Sequence, residues 1–305
     1  MQTNNRKGNN VILITVDLED WFQVENLRLA YPFCVWDACE IRIERNTREL
    51  LDIFDDRGVQ ATFFVLGWMA ERCRGLVKEI SERGHEIASH GYKHQLCSEL
   101  SKEVLREDVC RSKALLEDIV GRPVFGYRAP SFSITEHLVE VLGDAGYFYD
   151  SSYNSFALNK RYGRAHSLFH SCNSNLMISD NGIIELPVSN LEIGGQTIPW
   201  GGGGYFRFWP PRLYSWGVTK ILRERKLYLF YCHPWEIDPE QPQARQLGWL
   251  GRFRHYVNLD KTLKRLEQFL ERFHQNSFIS CQNYLRCQDA IPTESFNQVA
   301  GFLTH

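Results

Sequence analysis

The chain contains 305 residues, of which 43% are hydrophobic and 24% are charged, proportions typical of a globular protein that buries a large core. Its formal net charge of −2 argues against a nucleic acid or an anionic membrane as a partner, because such partners select a basic surface. The length allows one barrel-sized domain or two ordinary domains.

The N-terminus and the cysteines bear on the cellular compartment. The first ten residues are polar, and the apolar run after them is interrupted at Asp17. Residues 1–10 are therefore predicted to be a disordered tail, and we expect neither a signal peptide nor a transmembrane segment. The nine cysteines are an odd number without a Cys-x-x-Cys pair, a pattern typical of reduced thiols. These features predict a cytoplasmic protein without disulfides.

The first half of the chain alternates between predicted strands and helices. Apolar runs indicate the strands, and capping residues and glycines indicate the helix ends. In chain order we predict a strand 11–16, an aromatic loop 21–40, a helix from 46 to Gly58, a strand 61–66, a helix 69–83, a strand 86–89, a helix from Ser101 to Gly121, a short strand before Gly126, a helix from Thr135 to Gly146 and a strand 147–149. This alternation indicates a parallel sheet covered by helices.

The second half of the chain has a weaker pattern. Its predicted elements are a strand 183–187, a glycine-rich loop 198–207, a helix within 210–226, a strand 227–231 and a helix 258–273. No linker separates a second domain. We therefore predict a single α/β domain over residues 11–285, folded as a distorted (β/α) barrel with about seven parallel strands, and a loosely ordered tail over residues 286–305.

Two histidines four residues apart, His90 and His94, follow a short predicted strand directly. Imidazoles at this spacing indicate a divalent metal, although solvent-facing histidines on a turn give the same pattern. A catalytic zinc site needs about three protein ligands, so another must come from elsewhere in the chain. Glu19 and Asp20 are the alternatives. Glu19 is preferred, because alternation along a strand places it on the same side as Asp17.

Polar side chains stand at the ends of several predicted strands. They are Asp17, Glu19, His90, Arg128 and Asp150. In a parallel barrel, catalytic groups stand at the carboxyl ends of different strands. The sequence therefore predicts an active site at that end of the barrel.

Four motifs in this order resemble those of the polysaccharide deacetylases of carbohydrate esterase family four, which share the chitooligosaccharide deacetylase (NodB) homology domain. The resemblance covers roughly residues 10–235, and its motifs are Asp17 with Glu19, His90 with His94, Arg128 with Pro130, and His233. The family usually has adjacent aspartates, whereas this chain reads Asp17-Leu-Glu-Asp20. This difference keeps both Glu19 and Asp20 as candidate ligands.

Three short runs are most similar to the intracellular branch of that family, which occurs at exopolysaccharide loci with exosortase systems. The runs are Val-Asp-x-Glu-Asp, Gly-Tyr-Arg-Ala-Pro and Gly-Gly-Gly-Tyr-Phe-Arg. The part of the chain from about residue 150 is accordingly expected to be family-specific.

The resemblance implies a metal-dependent hydrolase that removes acetyl from an N-acetylated sugar of a polysaccharide or of its cytosolic, lipid-linked precursor. It implies one divalent metal, zinc first, with cobalt or another transition metal as alternatives. Asp17 would be the general base, held ionised by Arg128. His233 would protonate the departing amine and would be oriented by Asp150. A backbone amide within residues 127–131 would stabilise the oxyanion.

Substrate contacts are expected from residues close to these motifs. They are Pro130, Tyr205, Arg207 and Trp235. Sugar faces pack on aromatic rings, and the glycines beside Tyr205 and Arg207 allow close approach. The sequence leaves the oligomeric state open.

Two other functions remain as alternatives. The first is a metal-dependent amidohydrolase for a small amide or ureide. The second is a binding protein with a degenerate site, which is disfavoured because a binding protein needs neither a base nor an acid.

Overall fold

The structure is a computed structural model that describes residues 10–156, 161–163, 166–244, 246–288 and 290. Most of the two predicted tails, residues 1–9 and 291–305, lies outside the described residues. The described strands are β1 (Val11–Leu18), β2 (Thr62–Val65), β3 (Glu86–Ser89), β4 (Gly126–Tyr127), β5 (Tyr149–Asp150), β6 (Phe169–Ser171), β7 (Met177–Ser179), β8 (Ile184–Glu185), β9 (Asn190–Ile193), β10 (Gln196–Pro199), β11 (Leu227–Cys232) and β12 (Ser277–Phe278).

The helices cover the outside of the sheet. They are α1 (Ile43–Arg57), α2 (Gly67–Arg72), α3 (Arg74–Glu82), α4 (Lys102–Val120), α5 (Glu136–Asp144), α6 (Gly203–Phe208), α7 (Pro211–Arg225), α8 (Trp249–Tyr256), α9 (Leu259–Arg272) and α10 (Cys281–Cys287). The side chains of Ser101 and Thr135 cap α4 and α5 as predicted, and α1 ends at Gly58 with a φ of 62°.

Three predicted elements differ from the structure. The helix predicted over 69–83 is two helices, because the chain leaves helical geometry at Cys73. The glycine-rich loop predicted over 198–207 contains the end of β10 and most of α6. The tail predicted from residue 286 begins inside α10.

The main sheet has the strand order β11, β1, β2, β3, β4, β5, β8, β7, β6. Neighbouring strands from β11 to β8 are parallel, and β12 also pairs parallel with β1, so the sheet has eight parallel strands where the sequence predicts about seven. β7 pairs antiparallel with both β8 and β6. The predicted α/β fold class is confirmed, with a sheet that curves as a distorted barrel.

No strand ladder closes this barrel between β8 and β11 in the described part of the chain. Irregular chain fills the gap instead. The Leu229 amide donates to Ser189 Oγ at 2.8 Å, and the Tyr231 amide donates to the Gly201 carbonyl at 2.7 Å. Gly202 has a φ of 130°, and a Cβ there would lie 2.0 Å from the Tyr231 carbonyl oxygen, so only glycine fits this approach.

Strand β1 shows how side chains divide between the two sides of the barrel. Ile12 and Ile14 join the outer core beneath the helices, whereas Leu13 joins the inner core. Thr15 and Asp17 follow Leu13 on the inner side, because side chains alternate along a strand. Asp17 therefore lies inside the barrel at its carboxyl end.

The opposite end of the barrel is closed by α10. The Cys281 amide donates to Thr62 Oγ1 at 2.9 Å, and the buried Glu86 carboxyl accepts from the Tyr149 hydroxyl at 2.7 Å. Access to the interior is thus from the carboxyl end.

Among the described helices, none combines the length and the apolar composition needed to cross a bilayer.

Candidate active site

Glu19, His90 and His94 meet at the carboxyl end of the barrel. Each side chain is buried and offers one ligand atom, and these atoms lie within 4.8 Å of one another. His90 Nδ1 lies 2.8 Å from the Arg128 carbonyl oxygen. A proton on Nδ1 would donate to that carbonyl and leave Nε2 free as a ligand, an arrangement common for metal-binding histidines. Two imidazoles and one carboxylate suit zinc.

One oxygen of Glu19 is in an unusual position. Oε2 lies 2.6 Å from His94 Nε2, and this buried oxygen has no hydrogen-bond partner that meets geometric criteria among the described residues. A cation shared by the two atoms would satisfy both. The residues present therefore fit a divalent metal.

The protonation states of Glu19 and His90 also fit a metal, whereas the pKa of His94, which burial alone would lower, is raised by the Glu19 carboxylate. Burial alone would raise the pKa of Glu19, but the nearby imidazoles, His94 first, lower it to about 2. Burial lowers the pKa of His90 to about 4. At neutral pH the carboxylate is therefore ionised and the His90 imidazole is neutral, the forms that bind metals.

Asp20, the alternative ligand, has a structural role. Its Oδ1 accepts from the Trp21 amide at 2.8 Å, and its Oδ2 accepts from the amides of Arg42 and Ile43 at 2.7 and 2.9 Å. The carboxylate thus holds the start of α1 and lies outside the cluster with the two histidines. Between the two alternatives, the geometry favours Glu19.

Asp17 forms a buried ion pair with Arg128. The Nη1 atom of Arg128 donates to Asp17 Oδ1 at 2.7 Å and to Thr15 Oγ1 at 2.8 Å. The guanidinium also donates to the Ser151 carbonyl and lies 4.0 Å above the Phe64 ring centroid. Fixed on several sides, Arg128 orients Asp17, as the sequence analysis expects, and leaves Asp17 Oδ2 without this contact.

His233 faces the same carboxylates from the end of β11. Its Nε2 lies 3.5 Å from Glu19 Oε1 and 3.8 Å from Asp17 Oδ2, and its Nδ1 lies 3.2 Å from Glu236 Oε2. Burial would lower the pKa of His233, but the hydrogen bond and charge of Glu236 raise it to about 9. The ring is therefore protonated at neutral pH and carries a proton on Nε2.

The residue that orients His233 is not the predicted one. We expected Asp150, but its carboxyl pairs with that of Glu185 on β8 and accepts from Ser152 Oγ at 2.6 Å. Burial is the largest cause that raises the pKa of both acids. The pKa of Asp150 rises to about 6, and that of Glu185 rises well above its ordinary value. Asp150 thus belongs to a buried carboxyl pair, and Glu236 takes the position beside the imidazole.

This buried pair predicts a pH-dependent stability. Folding raises the pKa of Asp150 from 3.8 to about 6, so its favourable contribution is complete below pH 3.8 and is lost as the pH rises through 6. The free energy of unfolding of the wild type minus that of Asp150→Asn should therefore decrease over this interval by on the order of 3 kcal/mol. Urea denaturation along a pH series measures the difference. A difference independent of pH would contradict the assignment, and the exposed Asp118→Asn serves as the control.

Arg207 lies beside Glu236 in the wall of the cavity onto which these groups open. Its Nε donates to Glu236 Oε1 at 2.9 Å, and its Nη1 donates to the carbonyls of His255 and Val257 at 2.8 and 2.9 Å. With only 2% of its side chain exposed, it has its donors occupied by protein. Arg207 thus supports the carboxylate beside His233, and its contact with substrate stays a prediction.

A cavity of about 390 Å³ opens onto these groups. Tyr205 and Trp235 line it, as predicted. Pro130 does not, because it begins the tight turn Pro130–Phe132 and Ser131 lines the cavity in its place. Ser131 has a φ of 53°, a strained conformation for a residue other than glycine.

Glu236 is a residue of the site that was not predicted from the sequence. Its signal was the spacing in His233-Pro-Trp-Glu236, where the Glu236 side chain accepts from the His233 amide in a capping box. The sequence analysis also placed the loop 21–40 over the site, and part of it, residues 24–26, lines the cavity.

Comparison with known families divides the chain in two. Residues 31–149 match the polysaccharide deacetylase family, and residues 151–286 match a domain of unknown function (DUF3473). A peptidoglycan-N-acetylglucosamine deacetylase of Bacillus cereus is 33% identical over 101 residues, which are 33% of this chain and 47% of that relative. The chain thus matches about half of the length of this relative.

Solved structures resemble the whole chain. A putative polysaccharide deacetylase from Mycobacterium smegmatis has a TM-score of 0.59 at 20% identity over 94% of both chains. The Puue allantoinase has a TM-score of 0.57 at 14% identity, over 90% of this chain and 89% of that one. At such identities the likeness shows the fold. Together with the motifs at the strand ends, the matches show that residues 31–149 are similar to the polysaccharide deacetylase family.

Proposed function

We propose that this protein is a metal-dependent deacetylase that hydrolyses the N-acetyl group of an amino sugar in a polysaccharide or its precursor. The observation that carries the proposal is the meeting of three groups in one cavity. They are the cluster Glu19, His90 and His94, the ion pair Asp17–Arg128, and the pair His233–Glu236. Ligands, a base and an acid are the parts that amide hydrolysis requires.

Glu19, His90 and His94 would hold the metal, with zinc as the first candidate. When bound, the ion would polarise the acetamide carbonyl and lower the pKa of water. Asp20 is left out of this proposal because its carboxylate accepts hydrogen bonds from the backbone amides at the start of α1.

Asp17 would act as the general base through Oδ2. Arg128 holds Oδ1 at 2.7 Å and fixes the plane of the carboxylate, so Oδ2 is directed to the cavity side shared with His233. In this position Asp17 would take a proton from the attacking water. The Ser131 amide, in the stretch predicted to supply an oxyanion donor, is our candidate for that role.

His233 would act as the general acid. The Nδ1 proton of the imidazolium is held by Glu236 at 3.2 Å, so the proton that can be transferred to the substrate is the one on Nε2. Donating the Nε2 proton to the amine nitrogen makes that nitrogen a competent leaving group. Arg207 keeps Glu236 ionised and in place, and so fixes the imidazole from behind.

The substrate proposal rests on the cavity walls and on the relatives. Tyr205 and Trp235 present aromatic surface on which a sugar face can pack. The Bacillus cereus relative is named for its action on peptidoglycan N-acetylglucosamine. An N-acetylhexosamine unit is accordingly the proposed substrate, and the sequence runs shared with the exopolysaccharide branch extend the proposal to exopolysaccharide biosynthesis.

We propose that residues 11–285 work as one catalytic domain. The part that matches the deacetylase family supplies His90, His94 and Arg128, and the part of unknown function supplies His233 and Glu236. Neither part holds the whole site. A cytoplasmic location is part of the proposal, supported by the nine cysteines, which all lie in the described residues and are all unpaired there.

Acetate release from N-acetylglucosamine oligomers tests the function. We expect no release by metal-free protein, recovery with zinc or cobalt, and loss of both metal binding and release in His90→Ala. Metal content measured by elemental analysis separates the two effects. Bound metal without release from any oligomer would favour an amidohydrolase for a small amide or ureide, and an absence of metal binding would refute the proposal.

A further inference from the structure

The charge of the chain is distributed unevenly along its sequence. Acidic residues number 37 among 305, yet the stretches 193–223 and 241–259 contain none. The second stretch includes α8, whose Phe253 and Arg254 line the cavity. The net charge of −2 therefore conceals two long stretches of chain without a negative side chain.

Helix α8 also exposes large apolar side chains. Trp249, Leu250 and Phe253 are 76%, 62% and 53% exposed, and they share one face because they are three and four residues apart. Phe208, at the end of α6, is 51% exposed and lies against Phe253 with ring centroids 6.4 Å apart. We call these four residues the rim patch. Contiguous exposed apolar side chains of this size mark an interaction surface.

Two arginines accompany the rim patch on α8. Arg252 donates to Gln243, and Arg254 is exposed. Among the described residues, neither forms an ion pair with a carboxylate. Exposed aromatic and leucine side chains beside unpaired arginines are typical of helices that lie in a membrane interface.

We propose that the rim patch and the arginines of α8 dock the mouth of the cavity onto an anionic lipid surface. The apolar side chains would enter the headgroup region, and Arg252 and Arg254 would contact acidic headgroups. The absence of acidic side chains over both stretches removes the repulsion that such a surface would otherwise exert. The inference concerns binding and is independent of the proposed deacetylation.

The buried side of α8 connects this surface to the site. His255 is 1% exposed and stacks on Trp235 with ring centroids 4.5 Å apart, and Trp235 stacks on His233 at 5.3 Å. A bilayer held by α8 would therefore lie directly at the cavity entrance. A saccharide carried on a membrane lipid would reach the site without leaving the surface.

Vesicle co-sedimentation of the full chain tests the proposal. We expect at least about tenfold more protein on vesicles of phosphatidylcholine with phosphatidylglycerol than on phosphatidylcholine alone, and release of that protein by high salt. The double variant Trp249→Ser with Leu250→Ser should lose binding about tenfold, because it removes the two most exposed apolar side chains. Val104→Ser is the matched control, since Val104 is 47% exposed on α4.

Two further measurements keep the outcomes distinct. Neither Trp249 nor Leu250 lines the cavity, so the double variant should keep its thermal unfolding midpoint and its acetate release from soluble oligomers. Equal binding to both kinds of vesicle, or to neither, would overturn the proposal. A concentration-dependent dimer in sedimentation velocity that the double variant abolishes would assign the rim patch to a second copy of the chain and would also overturn it.

Discussion

Asp17→Asn is expected to lower kcat/KM for deacetylation by about 10²–10⁴-fold, the range for loss of a general base. The amide of asparagine retains an oxygen for the contact with Arg128 at the position of Oδ1. The amide nitrogen that replaces Oδ2 cannot accept a proton from water. The variant should therefore keep the hydrogen bond to Arg128 and lose its turnover.

Metal content and a neighbouring variant make this result specific. Asp17 is not one of the three clustered ligands, so Asp17→Asn should bind the metal as the wild type does. Asp20→Asn is the control, because Asp20 is buried three residues away and serves α1. We expect that control to retain both metal and turnover. Undiminished deacetylation by Asp17→Asn would remove Asp17 from the role of base.

Arg207→Met is expected to destabilise the protein by about 3–5 kcal/mol, the usual result of removing one partner from a buried ion pair. Arg207 and Glu236 are 2% and 3% exposed, so water cannot solvate the carboxylate that remains. The same change should lower turnover, because Glu236 then loses the donor that holds it against His233.

A double-mutant cycle isolates the pair. Glu236→Gln in the Arg207→Met background removes the unpaired charge, so the double variant should be more stable than Arg207→Met alone. Guanidinium denaturation measures each free energy of unfolding. The exposed pair Lys102–Glu140 supplies the control, because Glu140→Gln should leave stability unchanged. A small effect of Arg207→Met on stability would mean that Glu236 is protonated in the folded protein.

The strand ends were the most predictable part of the molecule. Hydrophobic runs locate buried parallel strands, and the first polar residue after each run falls at the carboxyl end of the barrel. Asp17, His90, Arg128 and His233 were found in this way, and the structure brings all four to one cavity or its wall. Alternation along β1 also favoured Glu19 over Asp20, and Glu19 is the one that lies with His90 and His94 in the structure.

Partners that depend on side-chain packing were not predictable. Asp150 ends a strand like the others, but its carboxyl turns to Glu185 across the β5–β8 pairing. Arg207 follows a run of glycines that suggested substrate contact, and the folding of that run into α6 buried its guanidinium beside Glu236. Sequence periodicity specifies which side of a strand a residue occupies, but not which of several carboxylates reaches a given imidazole.

The pairing of β1 with β11 has a consequence for the synthesis of the protein. Residues 11–16 of β1 pair with residues 227–232 of β11. The partner strand of β1 is therefore synthesised 216 residues after it. At about 5–20 residues per second, β1 keeps one edge unpaired for roughly 10–40 s on the ribosome. An unpaired edge of apolar residues is a template for mispairing, which makes this interval the one in which a chaperone would matter most. Because Asp17 lies on β1 and His233 directly follows β11, the proposed base and acid meet only after residue 233 has been made.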